Sequence, residues 1–115
     1  MSYVAFSLEC SINDRDALDT VISDLTAATQ ANEPGTNIYE WNVSEDGSAL
    51  ITYERFADSD AALVHHHGFG PYAERFLASV TITRFVVFGA PSDALKEALA
   101  EAGPSYVTQI GGFHR

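Results

Sequence analysis

Apolar and polar residues alternate along residues 3–12, with Val4, Phe6, Leu8, Cys10 and Ile12 on one face and Tyr3, Ala5, Ser7 and Glu9 on the other. A period of two is the mark of a strand with one buried face. The second face is small and weakly polar, which suits a surface that is itself covered. The period then changes. Leu18, Val21, Ile22, Leu25 and Ala28 recur at helical spacing, with Asp16, Asp19, Thr20 and Asp24 elsewhere. This predicts an amphipathic helix capped by Asn13 or Asp14, with acidic residues at the positive end of its dipole. It ends before Asn32-Glu33-Pro34-Gly35, a turn that helical backbone does not cross.

Residues 37–44 and 49–56 read as two strands joined across Asp46-Gly47, a hairpin signal. With a two-residue loop, Trp41 lies opposite Thr52 and Tyr39 opposite Glu54. Tyr39, Trp41, Val43, Leu50, Thr52, Glu54 and Phe56 then share one face. Asp58 or Ser59 caps a second helix that runs through Ala61, Ala62, Leu63 and Val64 into His65, His66 and His67. Gly68, Gly70 and Pro71 interrupt it, and one or two further helical turns follow over 72–79. Residues 80–89 alternate as a fourth strand, with Arg84 on the side of Val80, Ile82, Val86 and Phe88. A short helix over 93–102 turns Leu95 and Leu99 inward and stops at Gly103-Pro104, and residues 106–110 predict a last strand. The order β-α-β-β-α-β predicts an α+β, ferredoxin-like subunit: an antiparallel sheet with both helices on one face, and residues 91–115 as a helix–strand extension. The open second face predicts a homodimer in which a partner's sheet covers it.

Composition narrows the function classes. A length of 115 residues predicts one domain spanning 1–115, and 46% hydrophobic residues are enough for a real core. No apolar run of membrane-spanning length occurs, and the alternating N-terminus is unlike a signal peptide. The net charge of −10 repels phosphate backbones, so nucleic acid and anionic membranes are poor partners. The lone Cys10 excludes an internal disulfide, fits a reducing cytoplasm, and sits where a packed core thiol would.

The candidate chemistry is concentrated in the hairpin and the histidine-bearing helix. Successive helical residues fan out by about 100°, so His65, His66 and His67 cannot converge on one metal, and no protein-ligated metal site is expected. One of the three must face the sheet. Taking Leu63 as the inward anchor selects His66, laid over Glu54 and Tyr39. A carboxylate beside a buried imidazole fixes its tautomer and raises its basicity, the makings of a proton acceptor. The alternative reading is a hydrogen-bonded core histidine with a structural carboxylate. Trp41, Tyr72 and Phe76 are candidate pocket walls. Arg84, an arginine among apolar neighbours, needs a partner: an anionic ligand, or a salt bridge to Glu9, Glu40 or Glu54. Gly68-Phe69-Gly70 lacks the third glycine and the preceding strand of a dinucleotide loop. Neither Ser7 nor Cys10 has a base nearby in sequence.

The element order, the Glu33-Pro34-Gly35 turn, the Tyr-Glu pairs at 39–40 and 53–54, the strand segment Tyr53-Glu54-Arg55-Phe56 and the Ala62-Leu63-x-x-His66 helix together resemble the antibiotic biosynthesis monooxygenase family over about residues 1–90. The resemblance implies a dimeric α/β barrel of ferredoxin-like subunits. It also implies oxidation of a small phenol- or quinol-type aromatic with O2 and no cofactor, with His66 and Glu54 catalytic and Tyr39, Trp41, Tyr72, Phe76 and Arg84 around the substrate. Other members of that family degrade haem, and many have no established activity, so a haem-binding relative and a non-enzymatic ligand-binding or accessory dimer are the alternatives. The Asn-and-Trp pair of some oxygenating members has no match here, because Trp41 lies on a strand and theirs on a helix.

Overall fold

The computed structural model describes residues 2–115. Its elements are β1 (Val4–Ile12), α1 (Arg15–Asn32), β2 (Thr36–Val43), β3 (Ala49–Phe56), α2 (Ser59–Phe69), a 3-10 turn (Gly70–Tyr72), α3 (Ala73–Ser79), β4 (Val80–Gly89), α4 (Asp93–Ala98), a second 3-10 turn (Ala100–Ala102) and β5 (Ser105–Tyr106). The strands form one sheet in the order β2-β3-β1-β4-β5. All pairs are antiparallel except β4 with β5, which is parallel. The fold is α+β and ferredoxin-like, with a terminal helix–strand extension.

Local chemistry sets the element boundaries. Asp14 caps α1 by accepting from Ala17 N, and Asp58 caps α2 by accepting from Ala61 N. In the hairpin loop the Asp46 carboxylate accepts from Ser44 Oγ, Ser48 N and Ser48 Oγ, while Gly47 takes φ +77°. These bonds hold the register that the alternation predicts, Trp41 opposite Thr52 and Tyr39 opposite Glu54. Gly103, at φ +60°, ends the extension's helical segment in a left-handed conformation.

Two predictions need correction. The last strand is two residues long instead of spanning 106–110: after Tyr106, Val107 N still donates to Val87 O, and the chain then leaves the sheet. Arg84 is also on the other face from the one its spacing suggested. The β1–β4 register shifts between Glu9 and Cys10, which pair with Arg84 and Ile82 and leave Thr83 as an extra residue. Such a bulge inverts the side-chain alternation beyond it. Val80 and Ile82 therefore face the helices, as do Phe85 and Val87 after the bulge, whereas Arg84 faces away beside Glu9. Thr83 Oγ1 secures the bulge by donating to Glu9 O. Being exposed, Arg84 has no burial cost to offset, and it makes no ion pair among the described residues.

Two apolar clusters lie between sheet and helices. One joins Leu18, Val21 and Leu25 of α1 to Cys10, Leu50, Phe76 and Val80. The other joins Val4, Phe6, Phe56 and Val87 of the sheet to Ala62 of α2 and to Leu95 and Leu99 of the extension. The extension is thus part of the core, and a cavity is lined by residues of both clusters.

Candidate active site

The inward histidine is His65, not His66. The capped start of α2 sets its phase so that Ala62, fully buried, is the residue against the core, and the position three residues on is His65. Leu63, the anchor assumed from sequence, is only half-buried and packs on the second apolar cluster. Gly35 lets α2 come this close. A Cβ at Gly35 would stand 2.6 Å from Ala61 Cβ, so any other residue there would push the helix outward.

His65 is 4% exposed and held at both ring nitrogens. Nε2–H donates to Glu54 Oε1 at 3.0 Å, and Nδ1–H donates to Glu33 Oε1 at 2.8 Å. Glu33 reaches inward from the C-terminal cap of α1, and Glu54 from the middle of β3. Each carboxylate is itself oriented. Thr52 Oγ1 donates to Glu54 Oε2 at 2.9 Å while accepting from Leu8 N, and Thr36 Oγ1 donates to Glu33 Oε1 at 3.0 Å. Carboxylates only accept, so the imidazole is charged when both glutamates are ionised. Burial opposes that charge, but the hydrogen bonds and negative charge of Glu54 and then Glu33 outweigh it, and the pKa of His65 is raised.

The Glu54–His65 pair forms the polar floor of a cavity of about 130 Å³. Phe6, Phe69, Phe76, Ile82 and Phe85 make its apolar walls, with Tyr39 and Trp41 beside the pair. Leu99 and Ala102 of the extension also line it. An apolar cavity of about 150 Å³ accepts benzene, so the space suits a single small ring. Tyr39 packs edge-on against His65 at 5.1 Å between centroids. Burial, then the charges of Glu54 and Glu33, push its phenol pKa upward, so Tyr39 stays neutral and can only donate or accept a hydrogen bond. Trp41 Nε1 is buried without a partner.

The remaining predicted residues divide. Glu54, Tyr39, Trp41 and Phe76 meet at the cavity, and His66 lines its rim. His66 does not lie over Glu54. Its pKa is lowered by burial and then by its histidine neighbours, which leaves it neutral at pH 7. Tyr72 packs against the first apolar cluster and does not line the cavity, because the 3-10 turn redirects the chain after Gly70. Arg84 is on the opposite face of the sheet. Sequence reasoning missed His65 and Glu33. The pointers were Ala62, the smaller and better candidate for close helix–sheet contact, and a glutamate at a Pro-Gly turn facing a helix that carries glycines. With both His65 nitrogens engaged and so small a cavity, these residues do not fit haem ligation by the buried histidine.

Comparison with known proteins agrees with this architecture. No family model and no curated protein matches the chain. Among solved structures, MupZ from Pseudomonas fluorescens superposes with a TM-score of 0.87 at 21% identity, covering 100% of this chain and 96% of that one. The chain has the fold of the antibiotic biosynthesis monooxygenase-like proteins. SnoaB from Streptomyces nogalater, described as a cofactor-independent oxygenase, matches with a TM-score of 0.68 at 20% identity over 80% of this chain and 96% of its own. A candidate antibiotic biosynthesis monooxygenase from Caulobacter crescentus matches at 0.65 and 20% identity over 75% of this chain and 85% of its own. The match to MupZ takes in the extension that walls the cavity, whereas those to SnoaB and the Caulobacter protein stop short of the full chain.

Proposed function

We propose that the protein is a cofactor-free monooxygenase of small phenol- or quinol-type rings, with Glu54 and His65 as its proton-accepting pair. The observation that carries this reading is a buried, doubly oriented imidazole–carboxylate pair at the floor of an otherwise apolar cavity of single-ring size. The likeness to SnoaB supports it at the level of fold. Glu54 takes the phenolic proton, and His65 stabilises the cluster in either protonation state. The dry aromatic walls leave the phenolate poorly solvated and electron-rich. The phenolate passes one electron to O2, and the resulting phenoxyl radical and superoxide join to form a carbon–oxygen bond. Loss of the ring hydrogen and cleavage of the O–O bond, with the proton returned from Glu54, give a quinone and one water. The substrate supplies all the electrons, so no external reductant enters.

The sheet's second face supports a homodimer within the same proposal. It leaves Ile51 42% exposed and Ser7 and Tyr53 half-buried, while Ala5 and Val86 on the same face are already buried within the chain, and the tail's His114 stacks on Tyr3 at 5.2 Å. Molecular mass in solution tests it, and a monomer at micromolar concentration would refute it.

The activity is tested by oxygen uptake with a panel of monocyclic phenols and quinols. Glu54→Gln and His65→Gln should each lower substrate-dependent uptake by roughly 10²–10⁴-fold, the range of general acid–base contributions, whereas His66→Ala should stay within about tenfold of wild type. Uptake unchanged in both Glu54→Gln and His65→Gln would end the proposal.

A further inference from the structure

Glu33 lies outside the cavity, which Glu54 and His65 line, yet it binds the same imidazole. Its two oxygens face different surroundings. Oε1 serves both its hydrogen bonds, from His65 Nδ1–H and Thr36 Oγ1. Oε2 lies against Gly68, where a Cβ would stand 2.7 Å from it. Both hydrogen bonds of the Glu33 carboxylate fall on Oε1, and the residue keeps 8% of its surface exposed. Gly68 itself is exposed and falls within α2, where glycine weakens a helix relative to alanine. Its place there is explained by the carboxylate, because Oε2 occupies the position a Cβ would take.

We infer that Glu33 is the outer end of a proton path that connects the His65–Glu54 pair to water beside the exposed Gly68, so that the pair stays in equilibrium with solvent while a ligand fills the cavity. The inference rests on the proton-accepting role proposed for that pair. When Glu54 takes a proton from a bound phenol, His65 Nδ1–H passes its own proton to Glu33 Oε1 along the 2.8 Å bond. A half-turn of the carboxyl group then brings the protonated oxygen to water. One proton enters the cluster and one leaves, so its total charge is unchanged. Product formation draws a proton back along the same path. The apolar walls on the cavity side offer no competing polar route once a ring is bound. Glu33 is thus a relay and positioning residue that never touches substrate.

The test needs no substrate, so it stands or falls separately from the oxygenase reading. Proton exchange with water is measured by NMR at the two ring nitrogens of His65 in the 15N-labelled full chain, by saturation transfer or by line width where the resonance is broadened. In the wild type, Nδ1–H should exchange faster than Nε2–H. Glu33→Gln, which keeps the shape and removes the proton acceptor, should slow Nδ1–H exchange by about tenfold or more, because exchange must then await local opening of α2. Backbone amide exchange in α2 reports whether that helix stays closed. If Glu33→Gln loosens α2, the decision passes to Gly68→Ala, which sets a methyl group against Oε2 and should also slow Nδ1–H. Faster exchange at Nε2–H than at Nδ1–H, unchanged exchange in Glu33→Gln with α2 closed, or unchanged or faster exchange in Gly68→Ala would each overturn the path.

Discussion

Replacing His65 with Leu removes the link between two buried carboxylates, and the structure sets the cost. The imidazole makes hydrogen bonds of 2.8 and 3.0 Å to Glu33 and Glu54, and the side chains involved are 5–8% exposed. Hydrogen bonds to charged groups contribute about 1.5–3 kcal/mol each, so losing two removes about 3–6 kcal/mol. Breaking a buried ion pair from one side costs about 3–5 kcal/mol by the same reasoning, because the remaining charge stays desolvated. Thr36 and Thr52 still satisfy one oxygen on each carboxylate, which favours the lower half of the range. We therefore expect His65→Leu to lose about 3–4 kcal/mol at pH 7 in urea unfolding, a large part of a typical domain's stability. The origin of the loss is checked by the triple variant Glu33→Gln/Glu54→Gln/His65→Leu, which should recover at least about 1 kcal/mol over His65→Leu because no charge is left unpaired. A loss below about 1 kcal/mol in His65→Leu, or a triple variant no more stable than the single one, would refute a charged cluster.

Four further outcomes follow from the same structure. The raised pKa of His65 makes its contribution complete below the unfolded value of about 6.5 and lost as pH rises through the folded value, so the wild-type advantage over His65→Gln in urea midpoint should shrink on the alkaline side. Gly35→Ala forces Ala61 outward and should cost about 1–3 kcal/mol in thermal or urea unfolding, with weakened His65–Glu33 coupling visible in the imidazole 15N shifts. Leu99→Ala removes a 2%-exposed side chain that belongs to both core and cavity wall; it should cost about 2–5 kcal/mol and admit larger rings in ligand-induced melting shifts. Cys10, buried and with its thiol pKa pushed up to about 11 by burial and then Glu54, should resist alkylation at pH 8 until the protein unfolds; rapid labelling of the native state would contradict its placement.

Much of the architecture is written in short-range pattern. Alternation over Val4 to Cys10, the α1 stripe of Leu18, Val21 and Leu25, and the Asp46-Gly47 turn act within a few residues, and each side chain's choice of face follows from backbone periodicity alone. The pairing of Tyr39 with Glu54 and Trp41 with Thr52 followed from turn length for the same reason. Long-range geometry decided the rest. An extra residue at Thr83, invisible as composition, turned Arg84 to the opposite face. The packing depth of α2 depends on Gly35 meeting Ala61, a contact across 26 positions of chain, and a helix placed one residue differently in phase presents a different histidine. Glu33 belonged to a turn in sequence and became half of a clamp only when α2 was laid beside it. By itself the sequence determined which elements form, their order and the hairpin that carries Glu54, because those depend on local spacing. The tertiary structure alone decided that His65 is the buried histidine, that a second glutamate holds it, and that the extension closes the cavity, because each depends on how close two distant segments can approach.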